Sequence, residues 1–219
     1  MSLCAVIFDL DGTLVDTESL WDIAMDDLLK EKFGKSFDVT TKYAMMGLPK
    51  KEAARVMSEL YGLSINLDEF VALRNHYYHV TRERRGVVPL PGADALVRAL
   101  HASSIRLALA TSEQRPRAED TLKRFGWDQL FSQVVVAEDV ANGKPSPDIY
   151  VEAIRQLGCK IGDCIAVEDA PAGVESAKAA GLKTLGVQDV RYRVDLSKAD
   201  QVVSSLESLT VENFKEMVA

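Results

Sequence analysis

The chain has 219 residues, enough for one domain with a substantial insertion or for two small domains. Hydrophobic residues make up 47% of it and charged residues 27%, as in average soluble globular proteins. The formal net charge of −7 argues against general binding to nucleic acid or to an anionic membrane. The apolar residues 3–8 stop at Asp9, too early for a signal peptide or a spanning helix.

The first part of the chain changes its pattern after one strand. Residues 4–10 are typical of a short buried strand. From Thr17 onwards apolar residues recur at helical spacing, and we expect Pro49 to open a second helix and Asp68 to cap a third. The pattern predicts an all-helical domain over residues 17–86.

Strands and helices alternate in the rest of the chain. The predicted strands cover residues 105–110, 134–137, 164–167, 183–187 and 201–203. Helices between them begin near Pro116 and Pro147 and end near Gly126, Gly158 and Gly181. Such alternation predicts an α/β fold in which residues 1–16 and 87–219 form a Rossmann-like, doubly wound parallel sheet with the helical domain inserted.

The three cysteines are Cys4, Cys159 and Cys164, an odd number without a CxxC pair. Two of them lie in apolar, strand-like stretches. We therefore expect buried, reduced thiols in a cytoplasmic protein.

Acidic side chains follow two of the predicted strands at the edge where open α/β sheets bind ligands. Asp9 and Asp11 lie two residues apart, so their carboxylates point the same way, and Gly12 allows a sharp turn behind them. One carboxylate is a candidate nucleophile and the other a candidate proton carrier. For an isolated pair of this kind, a solvent-exposed acidic turn is the alternative.

A second acidic pair, Glu168 and Asp169, follows another strand. Mg²⁺ prefers an octahedron of oxygens with only one or two carboxylates, which Asp9 and Asp169 can supply together with a backbone carbonyl and a substrate phosphate. An acidic helix start that the helix dipole stabilises is the alternative.

Two further segments are candidates for binding phosphate. Thr111 and Ser112 precede a helix, where a hydroxyl and free N–H groups suit an anion, although ordinary N-capping explains them equally well. Lys144 lies on a Pro-rich turn and would balance the acidic pairs and hold a phosphate oxygen, although most loop lysines are merely solvated.

These segments resemble, in order, the four motifs of the haloacid dehalogenase superfamily. They are residues 9–16, 111–112, 144–145 and 168–173. The helical insertion after the first strand resembles the cap of the β-phosphoglucomutase-like, sugar-phosphate-phosphatase branch of that superfamily.

The resemblance implies a role for each acidic residue. Asp9 resembles the nucleophile and a metal ligand, and Asp11 resembles the general acid and base, with its backbone carbonyl on Mg²⁺. Asp169 resembles the last metal ligand, and Glu168 is expected to contact the metal directly or through water.

The resemblance also implies how substrate is held. Thr111 and Lys144 are similar to the phosphate-holding residues. In the cap, residues 45–50 are expected to face the phosphate site, with Gly47 allowing close approach and Lys50 contacting the substrate. An ordinary charged residue in a first helical turn is the alternative for Lys50.

Departures from the relatives select among activities. Asp11 speaks against a dehalogenase, and Trp21 stands where β-phosphoglucomutases carry a histidine. We therefore predict a monomeric Mg²⁺-dependent phosphatase that acts on small phosphorylated metabolites through an aspartyl-phosphate on Asp9, with neither nucleic acid nor membrane as a partner. A phosphomutase is the alternative, ahead of a phospho-acceptor signalling module, a class that lacks the helical insertion.

Overall fold

The computed structural model describes residues 3–45, 48, 50–192 and 194–218. The chain divides into two compact units. The core unit consists of Met1–Val15 and Pro89–Ala219, and the helical unit is Asp16–Val88. Among the described residues, none of the helices combines the length and the apolar character that crossing a bilayer requires.

Helices and strands follow the order that the sequence predicts. The strands are β1 (Ala5–Phe8), β2 (Arg106–Thr111), β3 (Phe131–Val136), β4 (Cys164–Glu168), β5 (Lys183–Val187) and β6 (Gln201–Val203). The helices are α1 (Glu18–Phe33), α2 (Val39–Lys42), α3 (Lys50–Tyr61), α4 (Leu67–Arg85), α5 (Ala93–Ala102), α6 (Arg115–Arg124), α7 (Asp148–Leu157), α8 (Pro171–Ala179) and α9 (Val211–Val218).

A parallel sheet organises the core unit. In the described residues it has six strands in the order β3-β2-β1-β4-β5-β6, and each neighbouring pair is parallel. Every residue of β1 and of β4 is buried, because both strands lie inside the sheet under helices. Such double coverage accounts for their continuous apolar sequence. The predicted α/β fold class is confirmed.

One predicted strand begins earlier than its apolar pattern shows. β3 starts at Phe131 rather than at residue 134, because the polar Ser132 and Gln133 interrupt the apolar pattern without interrupting the strand. The Ser132 hydroxyl donates to the carbonyl of Leu107 on β2 at 2.9 Å, so a polar side chain is satisfied at this edge of the sheet.

The helical unit has its own apolar core. Buried residues of α1, α3 and α4 pack together in it, among them Met25, Leu28, Met57 and Phe70. Asn66, and not Asp68 as the sequence suggested, caps α4, because its side-chain oxygen accepts from the backbone N–H of Asp68 at 2.9 Å and of Glu69 at 3.3 Å. The four-residue helix α2 is too short to show helical periodicity and was not predicted.

The chain leaves and re-enters the core unit along adjacent backbone segments. Val15 forms an antiparallel bridge with Pro89, and the N–H of Leu90 donates to the carbonyl of Leu14 at 2.9 Å. Within the helical unit, the N–H of Asp16 likewise donates to the carbonyl of Val88 at 2.9 Å. The two crossings therefore lie side by side.

The expectation of three reduced cysteines is wrong. Cys4 and Cys159 form a disulfide, with Cα atoms 6.2 Å apart, and Cys164 is free and buried. The pairing arises because α7 packs against β1, so the residue that follows this helix lies beside the start of the strand. A separation of 155 residues leaves no spacing signal in the sequence.

We expect this disulfide to stabilise the fold strongly. In the chain-entropy model, a loop of this length is worth about 5 kcal/mol. Cys159→Ser should therefore lower the thermal unfolding temperature, and a reducing agent should do the same to the wild-type protein but not to the variant. Calorimetry with and without reductant measures both effects.

Thiol counting provides the control. Burial raises the pKa of the Cys164 thiol to about 11, so this group should resist alkylation at pH 8 until the protein unfolds. Mass spectrometry of denatured, unreduced protein should find one alkylated cysteine. Three alkylated cysteines would contradict the disulfide.

Candidate active site

Three carboxylates meet where β1 and β4 end. These strands pair Phe8 with Val167, so the next residues, Asp9 and Glu168, fall side by side, and the N–H of Asp9 donates to the carbonyl of Val167 at 3.0 Å. Carboxylate oxygens of Asp9, Glu168 and Asp169 lie within 4.8 Å of one another. Strand register alone thus brings together two segments separated by most of the chain.

The ammonium group of Lys144 bridges this cluster. It donates to Asp9 Oδ1 at 2.5 Å, to Glu168 Oε1 at 2.6 Å and to the carbonyl of Ala110 at 2.9 Å. Only 8% of the Lys144 side chain is exposed, so this is a buried ion triad rather than a surface salt bridge. The turn that carries Lys144, residues 142–147, leads directly into α7.

The segment after β1 holds Asp169 in place. The Thr13 hydroxyl donates to Asp169 Oδ1 at 2.9 Å. Gly12 has a φ of +84°, and a Cβ at this position would overlap with the Asp169 carboxylate. Glycine is therefore required here both by the backbone conformation and by the close approach of a side chain. Asp11 is half-buried, and its charge is close enough to raise the pKa of Asp9.

The structure places Thr111 and Ser112 in different surroundings. Thr111 is the buried last residue of β2, and its hydroxyl oxygen accepts from the N–H of Glu113 at 3.0 Å. The register of β1 and β2 pairs Phe8 with Leu109, so Thr111 stands level with the acidic segment. Ser112 is exposed in the bend before α6.

Tyr150 is a site residue that the sequence did not predict, and Gly173 lies in the predicted motif of residues 168–173 but had no predicted role of its own. The Tyr150 hydroxyl donates to Glu168 Oε1 at 2.6 Å from a fully buried position on α7. Gly173 on α8 lies against the same carboxylate, which a Cβ would overlap. The available signal for Tyr150 was a polar aromatic residue among apolar ones on a helix that begins just after Lys144.

Burial and charge shape the ionisation of this cluster. Burial raises the pKa of Asp9 to about 8, against the effect of Lys144 and with added repulsion from Glu168 and Asp11. Burial alone would lower the pKa of Lys144, but the charges of Asp9 and Glu168 outweigh it and raise that pKa. Burial and the Glu168 charge also raise the pKa of Tyr150 well above its usual range, so its hydroxyl stays a donor.

The donor set fits a divalent cation. Lys144 supplies one positive charge against the four carboxyl groups of Asp9, Asp11, Glu168 and Asp169. Burial and the repulsion from Glu168 and Asp11 raise the pKa of Asp9, and a bound cation would act against that repulsion. Clustered carboxylate oxygens are the ligands that Mg²⁺ prefers.

The predicted cap contacts fall in the helical unit. Gly47 lies outside the described residues, and Lys50 is the first residue of α3. The predicted roles of both residues in substrate binding therefore stay predictions.

Comparison with known proteins identifies the family. Residues 6–187 match the family model described as haloacid dehalogenase-like hydrolase. The chain belongs to the haloacid dehalogenase-like hydrolases. The predicted resemblance is thus confirmed.

Curated relatives of this haloacid dehalogenase-like chain are phosphatases. It is 36% identical over 217 residues to a protein named probable pseudouridine-5′-phosphatase from Drosophila melanogaster, covering 95% of this chain and 92% of that one. It is 32% identical over 218 residues to hexitol phosphatase A of Escherichia coli K12, covering 94% and 92%. These relatives and the family together make the chain an enzyme of the phosphoric monoester hydrolase class.

One relative is much longer than this chain. The bifunctional riboflavin kinase/FMN phosphatase of Arabidopsis thaliana is 34% identical over 220 residues, which are 98% of this chain but only 56% of that protein. Among solved structures, a β-phosphoglucomutase from Clostridium difficile superposes with a TM-score of 0.74 at 26% identity, covering 100% of this chain and 97% of that one.

We expect Gly173→Ala to damage this haloacid dehalogenase-like site. In a helix, alanine is normally about 1 kcal/mol more favourable than glycine, so a purely helical effect would stabilise the protein. Here the new Cβ must displace the Glu168 carboxyl group from its place beside Lys144 and Tyr150. Phosphate release from p-nitrophenyl phosphate should fall by roughly tenfold or more.

Gly143→Ala is the matched control, because no atom beyond its two neighbours in the chain lies within 4 Å of the Cβ it would add. This variant should keep its activity. A Gly173→Ala protein with full activity and a raised unfolding temperature would show that Glu168 has room to move without consequence.

Proposed function

We propose that the protein is a Mg²⁺-dependent phosphatase that hydrolyses a small phosphate monoester, either a sugar phosphate or a nucleotide-like metabolite. The observation that carries this proposal is the cluster of Asp9, Glu168 and Asp169 with the Lys144 ammonium bonded to two of its members. The names of the curated relatives support the substrate class.

Asp9 is the proposed nucleophile. One carboxylate oxygen attacks the phosphorus atom, the bond from phosphorus to the ester oxygen breaks, and an aspartyl-phosphate forms. Asp11 donates a proton to the departing alcohol oxygen. The strand β1 and the Lys144 hydrogen bond fix the direction of the Asp9 carboxylate before the substrate arrives.

Water completes the proposed reaction. Asp11, now deprotonated, takes a proton from a water molecule, whose oxygen attacks the phosphorus atom of the aspartyl-phosphate. The acyl-phosphate bond breaks, which regenerates the Asp9 carboxylate and releases inorganic phosphate. We propose that Thr111 and Lys144 bind the phosphoryl oxygens in both steps. Ser112, in the bend before α6, is a further proposed ligand of these oxygens.

The proposed Mg²⁺ ligands are the carboxylates of Asp9 and Asp169 and the backbone carbonyl of Asp11. Glu168 is proposed to contact the ion directly or through water. The ion, when bound, neutralises charge on the phosphoryl oxygens. The electrostatic field at the site includes the charge of the bound ion. An acidic site can therefore accept a dianionic substrate.

We further propose that residues 17–86 act as the cap that selects the substrate, with Gly47 and Lys50 in contact with it.

A monomer in the cytoplasm stays our prediction for the active form of the protein. The Cys4–Cys159 disulfide is an observation against the cytoplasmic part of this prediction, since structural disulfides are rare in the cytosol. Fractionation of the cells that naturally produce the protein, with the state of the disulfide measured in each fraction, would distinguish the two locations.

Asp9→Asn should abolish turnover while leaving the fold intact. The amide has the shape of the carboxylate but cannot form the acyl phosphate, so kcat for p-nitrophenyl phosphate should fall at least about 10³-fold. Because burial already disfavours the charge of Asp9, the neutral amide should not lower the unfolding temperature. Steady-state kinetics and thermal unfolding measure the two effects.

Asp128→Asn is the control for this substitution, since Asp128 is an exposed aspartate of the same unit. It should leave kcat unchanged. Retained turnover in Asp9→Asn would end the assignment of Asp9 as nucleophile.

A phosphomutase is the second candidate, because a solved β-phosphoglucomutase shares the fold over the whole chain. A phosphatase supplied with a sugar 1-phosphate releases inorganic phosphate and free sugar. A mutase returns the 6-phosphate of the same sugar. We expect free phosphate, measured by ³¹P NMR of the products; accumulation of the 6-phosphate would replace the hydrolase proposal with the mutase.

A further inference from the structure

Tyr150 is a buried residue of α7 whose hydroxyl contacts the acidic cluster. It lies in the first turn of α7, six residues after Lys144, and is 0% exposed. Its ring belongs to the apolar cluster that includes Ile7 of β1 and Ala166 of β4. The ring is therefore fixed by the same strands that carry the candidate site.

The Tyr150 hydroxyl is aimed at one atom of that site. It donates to Glu168 Oε1 at 2.6 Å, and the Lys144 ammonium donates to the same oxygen at 2.6 Å. Gly173 lies against the same carboxyl group, where no Cβ can be accommodated. Two donors on Oε1 and the close approach of the Gly173 backbone together restrict the orientation of the Glu168 carboxyl group.

The same tyrosine also contacts the cation of the triad. The Lys144 Nζ lies 5.3 Å from the centre of the Tyr150 ring, within the range of a cation–π interaction. Lys144 in turn holds Asp9. A single buried side chain thus touches the two groups that flank the candidate nucleophile.

We propose that Tyr150 is a positioning residue that orients Glu168 for binding the divalent cation; this inference rests on the function proposed above. In the described part of the chain its hydroxyl has no hydrogen bond with Asp9, so it acts through Glu168 and Lys144 rather than on the substrate. Hydrogen-bonding partners of metal ligands are commonly worth 10- to 100-fold in metal affinity.

Tyr150→Phe tests the proposal, because it removes the hydroxyl and keeps the ring. The first readout is the Mg²⁺ concentration that gives half of the maximal rise in unfolding temperature, measured without substrate. The second is the Mg²⁺ concentration that half-activates hydrolysis of p-nitrophenyl phosphate. We expect both to rise by roughly 10- to 100-fold, with kcat at saturating Mg²⁺ changing far less.

Tyr61→Phe is the matched control. It removes a tyrosine hydroxyl that accepts from the N–H of Asp38 at 2.7 Å in the helical unit, away from the acidic cluster of the core unit in the sequence. Its Mg²⁺ response should equal that of the wild type. An equal shift in Tyr61→Phe and Tyr150→Phe would overturn the proposal, because the effect would then be one of general stability.

A second pair of variants keeps the test independent of how stable Tyr150→Phe is. In a Glu168→Ala background the hydroxyl has no carboxylate to orient, so adding Tyr150→Phe should change the Mg²⁺ response less than twofold. A full shift in that background would overturn the proposed route through Glu168.

The wild-type protein separates the two proposals. If wild-type stability and activity respond to Mg²⁺ and Tyr150→Phe responds identically, only the role of Tyr150 is overturned. If EDTA and Mg²⁺ leave the wild type unaffected in both readouts, the proposed Mg²⁺-dependent function falls, and this inference with it.

Discussion

Crowding of like charge at one edge of the sheet governs the arrangement of everything around it. Carboxylate oxygens of Asp9, Glu168 and Asp169 lie within 4.8 Å of one another, with Asp9 and Glu168 buried and Asp169 half-buried. Burial beside like charges has a cost in free energy, and it raises the pKa of Asp9. Lys144 offsets part of this cost with hydrogen bonds to two of them. A buried cluster of this kind is poor evidence of stability and good evidence of function, since apolar residues would fill the same space at lower cost.

Two kinds of residue surround the carboxylates, namely hydroxyl groups that donate hydrogen bonds to them and glycines that leave room for them. Thr13 and Tyr150 each donate a hydroxyl to one carboxylate. Gly12 and Gly173 each leave the room that a carboxylate occupies. Asp169 and Glu168 thus each have one hydroxyl donor and one neighbouring glycine, and these residues come from different segments of the chain. The carboxylates are therefore fixed before any ligand binds, which is what efficient catalysis by positioning requires.

Sequence patterns predicted the parts of this structure that depend on local chemistry. The apolar strands β1 and β4 and the acidic residues after them stand out because both are continuous in sequence and end at the ligand-binding edge. Parallel pairing then makes Asp9 and Glu168 neighbours without further information. The same reasoning located Lys144, since a stiff turn before a helix places its side chain near that edge.

Features that depend on packing were not predictable in this way. Tyr150 is an ordinary core aromatic in the sequence, and only the path of α7 across the sheet brings its hydroxyl to Glu168. The Cys4–Cys159 bond depends on the same packing at the other end of that helix. The cap of α4 was misplaced because Asn66 and Asp68 are both suitable residues, and backbone geometry alone decides between them.

The paired crossings at Val15 and Pro89 have a consequence for how this architecture diversifies. Because the outgoing and returning backbone are bonded to each other at the boundary, the insertion begins and ends at two adjacent points of the chain. Closing any inserted stretch between such ends has a cost that grows only slowly with its length. The insertion is consequently a modular part, open to exchange or enlargement during evolution while the chemistry on the sheet stays as it is.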